Sequence, residues 1–129
     1  MTKEYGSSVT LMILDADLNP DLVSARLGLQ PDRFWENGDV SKNHTYKWGG
    51  WKKFVPDEIR EEYVEDQLLY WATLLESKAK VLRSMSENLE LVTLDCFIGL
   101  DETASIIVPH TLQKSICDLG IEVRFSIST

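Results

Sequence analysis

Cysteine is scarce in this chain of 129 residues: Cys96 and Cys117 are the only two, and they form no CxxC pair. That excludes a disulfide framework and a dithiol redox motif, and a reducing cytoplasm is the expected setting. Histidine is equally sparse. His44 and His110 each lack a second His, Cys or carboxylate at the short spacing of a zinc site, so no metal is expected. No run approaches the roughly 20 apolar residues that span a bilayer, and the N-terminal MTKEYGSS lacks the apolar stretch of a signal peptide. No membrane partner is expected. Basic residues are outnumbered, 13 Lys and Arg against 21 Asp and Glu, for a formal net charge of −8. This argues against nucleic acid and anionic lipid and favours a cationic partner.

Recognisable catalytic and cofactor motifs are also missing, including a glycine-rich phosphate cradle and a nucleophile elbow. Asp15, Asp17, Asn19 and Asp21 imitate the first half of a calcium loop, but Pro20 stands where a tight-turning Gly is needed and Arg26 where a bidentate Glu should close the shell. Helix capping by Asp17 or Asn19 explains the same residues without a cation. Cys96 and Cys117 read as small buried hydrophobes, with no positive local field to activate either thiol. No catalytic residue is assigned and no cofactor is expected.

What is present is an alternation of strand and helix patterns. Residues 8–14 are apolar and β-branched on both faces, as in a central strand. Asn19, Pro20 and Asp21 then supply a capping oxygen, a proline with no donor to lose and a carboxylate at an open helix N-terminus, and Gly28 ends that helix after Leu27. A second helical pattern runs from Pro56 and Asp57 to about Met85 with neither Gly nor Pro inside it. At about 100° per residue, Val64, Leu68, Trp71, Leu75, Ala79 and Leu82 form one stripe that should face the core. Strands are expected at Leu91–Ile98 and Ser105–Val108, a helix at His110–Leu119, and a closing strand from Ile121, where apolar and polar residues alternate as in antiparallel-sheet material. With no linker to divide it, residues 1–129 read as a single α+β domain, a mainly antiparallel sheet packed against one long and two shorter helices, with ferredoxin-like strand–helix units in view.

Two neighbouring segments differ sharply in character. Residues 34–54 hold six of the 12 aromatics and read as an aromatic hairpin or loop, with turns at Asn37-Gly38 and Gly49-Gly50. Over residues 33–54 the local charge is +3, whereas residues 57–66 carry −5. A solvated helix face and an aromatic minicore are the bland explanations; a docking surface for a basic protein is the functional one. In that case Trp35, Trp48 and Trp51 are the candidate apolar anchors, and Glu61, Glu62, Glu65 and Asp66 the complementary acids.

The order of these features resembles a widespread bacterial domain of unknown function, number 4279 of its series. The likeness rests on the early strand, Asn19-Pro20-Asp21, the corner Leu27-Gly28-Leu29-Gln30-Pro31, the Trp48–Trp51 region, the long helix and the closing strand. It implies a small α+β domain with no established enzymatic role, some relatives of which look like components of toxin and immunity systems. It carries over only the structural positions Leu27, Gly28, Pro31, Trp48 and Trp51. The expectation is therefore a non-enzymatic protein-binding domain, an immunity protein that blocks a basic toxin domain. The alternatives are a small enzyme assembled from distant groups such as His44 and His110, or a structural protein that pairs as a homodimer.

Overall fold

The computed structural model describes residues 4–100 and 105–128. It is an α+β fold of five helices and a main sheet whose strand order is β2-β5-β1-β6-β7 among the described residues. The central strand β1, Glu4–Asp15, pairs antiparallel on one side with β5, Gly49–Lys53, and on the other with β6, Leu91–Leu100. The short β2, Arg33–Trp35, closes one edge and β7, Glu122–Ser128, the other. Between β2 and β5 a two-stranded ribbon, β3 Val40–Ser41 and β4 His44–Thr45, turns through Lys42 and Asn43. Both of those residues have positive φ, the backbone that a two-residue hairpin demands.

Helix α1, Pro20–Leu27, has the expected ends: Asn19 Oδ1 accepts from the Asp21 and Leu22 amides, and Gly28 closes the helix at φ 66°. Asp15 meanwhile accepts from the Asp17 and Glu90 amides, which ties the strand end to the next strand's approach. The long helical stretch is segmented. A single turn, α2, spans Asp57–Arg60; α3 spans Val64–Leu75; and a 3₁₀ turn at Glu76–Lys78 leads into α4, Ala79–Asn88. The expected unbroken start at Asp57 is thus corrected, since Tyr63 is extended at ψ 159° and the main helix begins after it. Of the expected core stripe, Val64, Leu68, Trp71, Leu75 and Leu82 are buried, and Ala79 is half-buried against them.

Residues 105–109 carry no regular structure, so the expected strand at Ser105–Val108 is absent. Helix α5, His110–Asp118, follows, with Gly120 at φ 68° ending it before β7. Strand β7 lies parallel to β6, not antiparallel, because α5 carries the chain back across the sheet to start beside Thr93. Among the described residues, β6-α5-β7 is the one strand–helix–strand unit with adjacent parallel strands.

Register separates the two faces of the sheet. Val9, Leu11 and Ile13 stand opposite Cys96, Leu94 and Val92, and all six are buried in the core with side chains of α1, α3, α4 and α5. The alternate residues lie on the other face, where Thr10, Asp95, Lys52 and Phe97 retain solvent contact while the central pair Met12 and Thr93 is buried.

Candidate functional site

The side chains singled out from the sequence fall in two separate places. Trp51 is fully buried on the helix side and its Nε1 donates to Ser24 Oγ at 3.0 Å. It is a core residue, and its apolar ring is out of reach of any partner. Gly49 and Gly50 do not form the expected turn. They sit in β5, where a β-carbon on Gly49 would come within 2.8 Å of Leu18 Cβ and one on Gly50 would overlap the Trp35 indole. Glycine is required there by close packing of neighbouring groups.

Trp35 therefore lies flat over Gly50 on the open face, half-buried. Tyr46 stacks on it at 5.2 Å between centroids, His44 meets Tyr46 edge-on at 4.8 Å, and Arg33 and Lys52 stand 5.9 and 5.6 Å from the Trp35 ring. This cluster satisfies its own rings and cations. Trp48 is 41% exposed beside it in the chain.

The acidic residues gather elsewhere, at the joint between α2 and α3 on the helix layer. Gln67 builds this joint. Strand β5 pairs with β1 only from Leu11 to Asp15, so the Val9 backbone would be left open on that side. Helix α3 fills it: Gln67 Oε1 accepts from Val9 N at 2.8 Å, and Trp71 Nε1 donates to Val9 O at 2.8 Å. Gln67 Nε2 donates to the carbonyls of Ser7 at 3.1 Å and Glu62 at 3.0 Å. One buried amide thus anchors the helix to the strand and holds the turn before the helix.

Outside this lock, Ile59, Leu69, Tyr70 and Leu74 form the floor of a shallow groove of about 560 Å³, with Glu62 and Asp66 on its wall. Leu69 is 54% exposed. No basic side chain lines the groove, and nearby Arg60 is held by Asp57 at 2.8 Å. Burial pushes the Tyr70 phenol up, and the Glu58 carboxylate adds to it, so a third acid bears on the same floor. Of the other two predicted acids, Glu61 is exposed outside the groove lining, while Glu65 is half-buried and its Oε2 accepts from Ile107 N at 3.5 Å. The sequence signal for this site was a polar Gln67 inside an apolar helix stripe, with an exposed Leu69 two positions later.

Among the described residues there is no group of three or more His, Cys, Asp or Glu side chains placed to hold a metal ion. Cys117, expected to be buried, is exposed on α5, whereas Cys96 is buried, and burial with the adjacent Asp95 charge pushes its thiol up to about 12. Such a thiol is protonated at neutral pH and a poor nucleophile. No helix among the described residues is long and apolar enough to cross a membrane.

The family model of a domain of unknown function (DUF4279) matches residues 3–129. The chain belongs to the DUF4279 family. Neither a curated protein nor a solved structure matches it. For this DUF4279 chain the chemistry must accordingly be read from its own surface: an acid-walled apolar groove on the helix layer, and a self-contained aromatic cluster on the open sheet face.

Proposed function

We propose that this DUF4279 domain is a non-enzymatic protein-binding module of the cytoplasm, and that it works as an immunity protein, blocking a basic toxin domain that docks on the α2–α3 groove. The observation that carries this reading is the pairing of an apolar floor, the exposed Leu69 beside the half-buried Tyr70, with an uncompensated acidic wall, Glu62 and Asp66. An apolar anchor on the partner would fill the floor, and Lys or Arg around that anchor would meet the wall. Long-range attraction speeds encounter, while the buried anchor sets residence time. Trp35 and Trp48 fall outside this contact, and inhibition is steric, with no cofactor.

The full chain and its Glu62→Lys/Asp66→Lys variant, compared as baits in native lysate at low salt, test the proposal. The expected result is a heteropartner retained by the parent and lost by the variant, with association about tenfold or more slower as ionic strength rises. A heteropartner held equally by both baits, at rates indifferent to salt, overturns the groove; recovery of no heteropartner overturns the binding function.

A further inference from the structure

The two edges of the main sheet are protected very differently. Edge strand β2 has three residues, whereas β7 has seven, in unbroken register with β6 from Thr93↔Glu122 to Gly99↔Ser128. Strand β7 contains no Pro, no Lys and no bulge, the devices that usually keep an edge from pairing. Its one cation, Arg124, is on the open face and donates to Asp95 at 3.2 Å. On the helix side Val123, Phe125 and Ile127 follow one another, and the last two are 47% and 61% exposed. Beside them, between α5 and β7, lies an apolar hollow of about 440 Å³ lined by Ile116, Val123 and Phe125 among others.

We infer that β7 pairs antiparallel with β7 of a second copy of this chain, joining two five-stranded sheets across a two-fold axis at Phe125. The strand itself selects that register. Phe125 is the midpoint of Glu122–Ser128, so an axis there pairs all seven residues. Phe125 then faces its counterpart, and Val123 faces Ile127 of the other copy, which covers the apolar side chains that α5 leaves open. On the opposite face Glu122 meets Ser128 and Arg124 meets Ser126, with no like charges opposed. An axis at Arg124 would oppose two arginines, and one at Ser126 would shorten the ladder. An isologous contact of this kind closes as a dimer and consumes the edge.

Sedimentation of the full chain over a concentration series tests this, together with the Phe125→Lys variant. The expected result is a reversible dimer that Phe125→Lys weakens about thirtyfold or more, through two opposed ammonium groups in place of a central aromatic pair. Because Phe125 is about half exposed in one copy, the variant's unfolding midpoint should stay near the parent's at concentrations low enough that both are monomeric. For register, Phe125→Cys in a Cys117→Ser background should form an intermolecular disulfide faster than Arg124→Cys in the same background, since only position 125 faces itself. A chain that stays monomeric throughout, a dimer that Phe125→Lys leaves intact, or a monomer whose β7 edge is filled by another protein's extended segment overturns the inference.

Discussion

The two faces of the main sheet hold the same residue types to different ends. On the helix-covered face Trp51 and Trp71 are fully buried and each indole N–H has a partner, Ser24 Oγ and Val9 O. On the open face Trp35 lies over a glycine in contact with Tyr46, Arg33 and Lys52, and keeps part of its surface in water. The difference teaches that an indole stabilises according to what its removal leaves behind. Inside, truncation leaves a cavity and an orphaned polar group; outside, water fills the gap and solvates whatever was exposed.

That contrast can be broken most sharply at Trp71. Trp71→Ala should cost about 3–5 kcal/mol from the lost packing alone, with the Val9 carbonyl left unpaired in addition, and urea unfolding measures it. A loss below about 1 kcal/mol would erase the distinction between the faces. Next in size is Gln67→Leu, which keeps the volume but strands the Val9 amide and the Ser7 and Glu62 carbonyls. The fully buried Val9 amide should dominate the cost, at about 1–3 kcal/mol, and hydrogen exchange at that amide should accelerate in step. The smallest effect belongs to the open face: Trp35→Ala should cost about 1 kcal/mol, the order of an exposed aromatic pair. Thermal unfolding that ranked Trp35→Ala with Trp71→Ala would show that the open face is also a core.

Much of the covered face was legible in the sequence because local chemistry and burial agreed there. Asn19, Pro20 and Gly28 mark α1 to the residue, and the stripe from Val64 to Leu82 shows which side of the long helix goes in. The break before Val64 was not legible, since no Gly or Pro marks it. The turn is held from a distance by Gln67, whose amide takes the Glu62 carbonyl while it also reaches β1. The parallel setting of β7 was hidden for a related reason: alternation reports which side of a strand is apolar, and it is silent on strand direction. Aromatic content likewise could not tell Trp51 from Trp35. One position along β5 decides which face a side chain meets, and the glycines that admit the Trp35 ring look like turn residues until the partner ring is placed.

The pairing of β1 with β6 also governs how the chain folds. Ser8 stands opposite Phe97 and Leu14 opposite Leu91, so the two central strands are separated by most of the sequence. Loop closure over that span must precede the contacts that reward it, which places the domain among slow-folding, high-contact-order topologies. On the ribosome, β1 is made early and waits unpaired on one side until β6 emerges, while α1 and the β2–β5 ribbon can form from local contacts. The centre of the sheet is thus completed only after β6 emerges, and until then its apolar strand is the segment most in need of protection from aggregation.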